Sequence, residues 1–184
     1  MSTFPAELTG TWDIDPVHST VGFTAKHAMV ATTRGHFNVF TGGATIDAQN
    51  PEGSSLWVDI DADSVTTGND QRDGHLRSTD FFKVAEHPRI TFASTTVKVD
   101  GDEIITTGDL SVAGVTHPVE VTWEFNGVSK DPYGNTRSGW DGTATLNRRD
   151  WGLVWNAALE TGGFLVSDKV KLVLEIAAVK RADA

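Results

Sequence analysis

Between Val119 and Phe125 the side chains alternate without a break, with Val119, Val121, Trp123 and Phe125 on one side and Glu120, Thr122 and Glu124 on the other. A repeat of two is the signature of a strand with one dry face and one wet face, and a helix with its 3.6-residue period cannot carry it. The pattern returns in Leu56, Val58 and Ile60 against Trp57, Asp59 and Asp61, and in Val170, Leu172, Leu174 and Ile176 against Lys169, Lys171 and Glu175. It is present earlier too, where Val21, Phe23 and Ala25 alternate with Thr20, Thr24 and Lys26. About eight long strands are expected, over residues 11–27 (with Pro16 a point where the first can break), 34–47, 54–62, 89–100, 103–113, 116–126, 137–148 and 168–179. Turn signals at Asn50-Pro51-Glu52-Gly53, Asp100-Gly101-Asp102, Ala113-Gly114 and Asp131-Pro132-Tyr133-Gly134 make the links short, so consecutive strands are antiparallel neighbours. Phase slips at Gly42-Gly43 and between Phe92 and Val97 mark the bulges a curved sheet needs in order to close. The expected fold is all-β, an extended eight-stranded antiparallel lipocalin-like barrel, with a lead-in over 1–10 and the barrel domain over 11–180.

Two segments stand outside this pattern. Asn69 to Val84 reads as a short helical insertion, with Asn69 capping a helix through Arg77 and Thr79 capping a further turn. Leu76, Phe81 and Phe82 would then pack on one barrel end as a plug. Asp150 to Ser167 is apolar but broken by glycines, and a loop that carries Trp151, Leu153, Trp155, Leu159 and Phe164 needs something to cover. Three readings are open for it: an extra strand packed into the core, a lid over the barrel mouth, or a subunit interface.

Charge and composition narrow the function. The 184 residues carry 15 Lys+Arg against 25 Asp+Glu, a net charge of −10, which repels phosphate and argues against nucleic acid and anionic membrane surfaces as general partners. No stretch approaches the roughly 20 apolar residues of a membrane span, so no stable membrane insertion is expected. With no cysteine, thiol catalysis and thiolate metal sites are excluded. Met1 to Gly10 has neither Lys nor Arg and no apolar run, so the chain is read as cytoplasmic.

Catalytic signatures find no support. The six histidines, His18, His27, His36, His75, His87 and His117, show no metal-ligand spacing, and there is no nucleophile elbow, phosphate loop or dinucleotide fingerprint. No cofactor is expected. His27 continues the apolar phase of Val21, Phe23 and Ala25, so it is a candidate for contact with a ligand's polar head, as are Arg72 and His75; a histidine satisfied by a backbone carbonyl is the plainer reading. Arg72, Asp73, His75 and Arg77 are read first as groups that pin the helix, His18 with Asp15 as a turn pair, and Arg148-Arg149-Asp150 as a barrel-end ion cluster.

Four motifs in order resemble one family. Trp12-Asp13-Ile14-Asp15-Pro16-Val17-His18-Ser19-Thr20-Val21-Gly22-Phe23 with Arg34-Gly35-His36-Phe37 is similar to the opening of the YceI family of polyisoprenoid-binding, lipocalin-like bacterial proteins. Arg72-Asp73-Gly74-His75-Leu76-Arg77-Ser78-Thr79-Asp80-Phe81-Phe82, Gly108-Asp109-Leu110-Ser111-Val112 and Leu146-Asn147-Arg148-Arg149-Asp150-Trp151-Gly152 resemble its later segments. The resemblance implies an elongated apolar tunnel that holds an isoprenoid chain, often in a homodimer; many relatives are exported, which this N-terminus does not match.

The residues themselves allow such a tunnel. If Val121 and Trp123 point inward, the matching phases supply Val21, Phe23 and Ala25, then Phe37 and Val39, then Leu56, Val58 and Ile60. Phe92, Leu110, Trp140 and Ala144 follow, with Leu76, Phe81 and Phe82 from the insertion. Gly108, Gly142 and Ala144 either leave space for a ligand or relieve crowding against Phe92, Trp123 and Trp140, since small barrels use small residues both ways. Each five-carbon unit withdrawn from water contributes about 4 kcal/mol gross, at about 0.8 kcal/mol per carbon. The expectation is therefore non-enzymatic binding, transport or storage of a polyisoprenoid or isoprenoid-quinone lipid. The alternative is an enzyme acting on an isoprenoid-like or polyketide-like substrate through a pocket histidine.

Overall fold

A computed structural model describes residues 4–183. Eleven strands and one α-helix follow in chain order: β1 (Gly10–Ile14), β2 (Thr20–His27), β3 (Ala31–Phe37), β4 (Phe40–Ile46), β5 (Ser55–Asp61), β6 (Val65–Thr66), α1 (Asp70–Arg77), β7 (Arg89–Asp100), β8 (Glu103–Val112), β9 (Val115–Lys130), β10 (Thr136–Asn147) and β11 (Val166–Lys180). All strand pairings are antiparallel, and the order β1-β4-β5-β7-β8-β9-β10-β11 closes on itself because β1 also pairs with β11. This is the eight-stranded barrel the alternation implies. Residues 1–3 of the lead-in lie outside the described residues.

The first three expected strands are each bent into two. The span 11–27 divides at Asp15–Ser19, where Pro16 cannot donate to a ladder, so β1 and β2 pair in succession with the two halves of β11. The span 34–47 divides at Asn38-Val39, and β5 is continued by the short β6. Beyond the bend, β2, β3 and β6 extend the wall past the closed ring, and β6 finds no further strand neighbour among the described residues. The insertion sits beside that unfinished edge.

Bulges fall partly where they were expected. The register of β7 against β8 shifts between Ser94 and Thr96, and that of β10 against β9 between Gly139 and Trp140. Gly42-Gly43 shows no slip, because Phe40, Gly42, Ala44 and Ile46 keep one phase. The slip lies instead between Phe37 and Phe40, both buried, which leaves Val39 54% exposed on the outside of the bend.

Helix α1 begins as expected, with the Asn69 side chain accepting from the Arg72 amide at 2.9 Å. Its exit differs: Ser78, not Thr79, organises the next turn, since Ser78 Oγ donates to the His75 carbonyl and accepts from the Asp80 amide. Thr79 makes no capping bond. Asp73, nearly buried, accepts from the Thr67 amide at 2.8 Å, and Arg77 donates to the Asp63 and Val65 carbonyls, so the polar set of the helix is spent on anchoring it.

At the opposite end Trp12, Leu8, Ala48 and Ala178 form a separate small core, with Trp12 Nε1 donating to the Leu8 carbonyl at 2.8 Å. Outside it, Arg137 bridges Asp15 at 2.6 Å and Asp131 at 2.7 Å, while His18 Nδ1 lies 2.8 Å from Asp15. Burial alone would raise the Asp15 carboxyl, but hydrogen bonds from Arg137, His18 and the Val17 amide outweigh it and hold the group at about 2. Asp131 is lowered further, chiefly by its hydrogen bond from Arg137. Carboxyls depressed in the folded state stabilise it above their ordinary value of 3.8 and lose that contribution as pH falls. The urea midpoint is therefore expected to fall between about pH 4 and pH 2, and to fall less steeply in Arg137→Met, which lacks the bridging cation.

Candidate functional site

A cavity of about 310 Å³ occupies the barrel interior, at the lower end of the size range of small-molecule sites. Its wall follows β11 from Val166 to Ala178, roughly 40 Å of strand at about 3.3 Å per residue, so the space is long and narrow. Leu172 and Leu174 on β11 face inward and are hydrogen-bonded on both sides, yet they are only half-buried. The same holds for Phe23, Leu56 and Val58. Inward side chains reached by water in the middle of a closed barrel are what an unfilled interior produces.

Aromatic rings are laid against the wall rather than into the middle. Phe23 pairs across the ladder with Gly35, and Trp123 with Gly142. A Cβ at Gly35 would sit 2.4 Å from the Phe23 ring, and one at Gly142 would sit 2.6 Å from the Trp123 ring, so each ring lies flat over the glycine opposite. A Cβ at Gly108 would meet Phe92 in the same way at 2.5 Å. Both sequence readings of these glycines thus describe one device: the glycines take up ring bulk, and the lumen is clear as a result. Trp123 is fixed in place by its Nε1–H, which donates to the buried Thr106 Oγ1 at 3.0 Å.

Most of the residues expected at the tunnel line this cavity: Val21, Phe23 and Ala25 on β2, Phe37 on β3, and Leu56, Val58 and Ile60 on β5. Phe92, Leu110, Val121, Trp123 and Trp140 line it from β7 to β10, and Leu76, Phe81 and Phe82 close one end. Val39 does not, because of the bend already described. Ala144 points inward but is packed within the wall and is absent from the lining.

The three polar candidates lie elsewhere. His27 keeps the phase of Ala25, but β2 has by then run past the enclosed lumen into the hairpin at Ala28–Val30, so its ring is exposed. Arg72 is exposed and donates to Thr67 Oγ1 and the Thr67 carbonyl. His75 Nε2 lies 2.9 Å from Asp80, with its ring edge-on to Phe81 and Trp155. None of the three lines the cavity, so the pocket histidine that the enzymatic alternative needs is not supplied by them.

The cavity's roof was not expected in this form. Residues 152–165 form no extra strand beyond a single bridge between Ala158 and Phe164. They cross the barrel end as a loop whose Trp155 meets His75 and Phe81 of the insertion, with ring centroids 4.5 and 5.7 Å apart. Arg148, 5% exposed, holds this loop from beneath: it donates to the carbonyls of Leu153 (2.6 Å), Trp155 (2.8 Å), Ser167 (2.9 Å) and Val166 (3.4 Å). Burial pushes its guanidinium down from its ordinary value, against the pull of Asp168. Arg148 also lines the cavity, together with Trp151 and Leu153. The signal was present in the sequence, since Arg148 continues the inward phase of Gly142, Ala144 and Leu146.

Comparison with known proteins agrees with the four motifs. Residues 12–178 match the family model described as a YceI-like domain. A UPF0312 protein of Pseudomonas aeruginosa is 37% identical over 169 residues, covering 92% of this chain and 85% of the relative. Among solved structures, Burkholderia cenocepacia BcnA superposes with a TM-score of 0.76 at 22% identity, over 89% of this chain and 98% of that one. A polyisoprenoid binding domain from Saccharophagus degradans has the same fold, with a TM-score of 0.67 at 19% identity over 92% and 98% of the two chains. The coverage is nearly complete on both sides of each comparison, and this chain belongs to the YceI family.

Proposed function

We propose that this protein binds a linear apolar lipid of the polyisoprenoid type, such as an isoprenoid quinone, inside the barrel and carries or stores it without chemical turnover. The observation that carries this reading is the long cavity whose wall is almost wholly hydrocarbon, formed by inward residues that remain half-exposed. Filling it with a chain withdraws apolar surface from water on both partners, at about 0.8 kcal/mol per buried carbon before ordering costs. The polyisoprenoid-binding relative of like fold supports the choice of an isoprenoid over a compact ligand.

The test is organic extraction and native mass spectrometry of protein purified from its own host. An apolar chain of defined mass is expected, and stripped protein should regain indole fluorescence changes when farnesol is added, since Trp123 and Trp140 face the lumen. Protein that arrives empty and gives no response to farnesol overturns the proposal.

A further inference from the structure

The barrel wall has a split on its side. β9 and β10 pair from Lys130–Thr136 as far as Thr122–Thr143 and then separate, although β9 extends back to Val115 and β10 on to Asn147. Continued in register, the ladder would set Val121 against Ala144, Glu120 against Thr145, Val119 against Leu146 and Pro118 against Asn147. In its place is a second pocket, of about 460 Å³, walled by those residues other than Val121, together with Thr122, Thr143, Asp150, Trp151 and Lys171. Pro118 fits this arrangement, because proline lacks the N–H of a central strand and is tolerated where one edge is free.

What lies behind the split matters more than the split itself. Val119, Leu146 and Trp151 line both this pocket and the apolar cavity, so the two spaces are separated by a wall one side chain thick. Trp151 stands at that wall, buried, with its Nε1–H donating to the Leu110 carbonyl at 2.9 Å. The outer pocket has opposite chemistry to the inner one. It presents the hydroxyls of Thr122, Thr143 and Thr145, the carboxylates of Glu120 and Asp150 and the ammonium of Lys171, besides the free backbone groups of two sheet edges.

We propose that the β9–β10 split is the headgroup site of the bound lipid: the chain lies in the lumen and its polar end passes between Val119 and Leu146 into the slot. This rests on the reading that the lumen holds an apolar chain. Two carboxylates against one ammonium, on a protein of net charge −10, reject a diphosphate, while the threonine hydroxyls and Lys171 as donors and the carboxylates as acceptors suit a neutral hydrogen-bonding head such as a quinone or an alcohol. A split of this kind gives a lumen whose wall is almost wholly hydrocarbon a way to accept a head that would otherwise be buried unpaired.

The test compares three probes that share one chain: farnesol, farnesyl diphosphate and farnesane, which has no head. Affinities are read by indole fluorescence in the wild type, in Thr145→Phe, which fills the slot from outside, and in Glu120→Leu, which removes an acceptor without adding much bulk. The readout is the ratio of farnesol to farnesane affinity, so any general loss of folding cancels. Thr145→Phe is expected to lower that ratio about tenfold and Glu120→Leu about threefold, with farnesyl diphosphate at least about tenfold weaker than farnesol in the wild type. A ratio unchanged in both variants, or a preference for the diphosphate, overturns the headgroup site while leaving the lumen reading intact. A wild type that binds none of the three probes overturns both.

Discussion

Arg148→Met is expected to lower the unfolding free energy by about 3 to 5 kcal/mol, measured by urea denaturation, and to free the loop over the cavity. Methionine replaces most of the volume but none of the donors. Four carbonyls, those of Leu153, Trp155, Val166 and Ser167, lose a charged partner at once in a site where the guanidinium is 5% exposed. The ion pair with Asp168 is a small part of this, since its 3.6 Å contact is long and Asp168 is half-exposed. Amide exchange over residues 153–166 should accelerate more than exchange in β7 and β8, because the loop has one isolated bridge and few other backbone bonds, and relies on Arg148 and Asn156 for its side-chain hydrogen bonds. Arg148→Lys should recover only a part of the loss, as one ammonium cannot reach four carbonyls spread around a planar fork. A methionine variant within about 1 kcal/mol of the wild type would mean that water already satisfies those carbonyls.

The same residue shows where sequence reasoning stops. Alternation is local, and it located the walls: Val121 and Trp123 on β9 and Leu56, Val58 and Ile60 on β5 line the interior as their phase requires. Arg148 keeps the inward phase too, but whether an inward arginine is a ligand contact or a strut is decided by the carbonyls brought to it by residues 153–167, which carry no period at all. Val39 and His27 fail for a different reason. Each keeps the phase of the strand residues before it, Phe37 and Ala25, but the bend at Asn38-Val39 turns one outward and the end of the enclosed lumen leaves the other uncovered. A bend is set by where β3 leaves one neighbour and β4 joins another, a property of the closed ring and not of the pentapeptide. Pro118 was the opposite case, a visible residue within a long alternating run, whose free edge becomes legible only when the β9–β10 ladder is seen to stop at Thr122.

Gly142→Ala is expected to lower stability by about 1 to 3 kcal/mol and to weaken farnesol binding about tenfold. The added methyl would stand 2.6 Å from the Trp123 ring, closer than any Cβ can approach, so the ring must tilt away from β10. It cannot slide along the wall without giving up the bond from its Nε1–H to the buried Thr106 Oγ1. The direction left is the lumen, and a tilted indole there occupies space the lipid needs. Ordinarily a glycine in a strand is replaced by alanine with a gain of about 0.4 to 1 kcal/mol from the unfolded chain, so a loss here reports the ring and not the backbone. Gly139→Ala is the matched control: on the same strand, its methyl would meet only Asn126 Cβ at 3.5 Å, an ordinary contact, and both stability and binding should hold. If the two variants bind farnesol alike, the flat packing of Trp123 over Gly142 is not what keeps the interior clear.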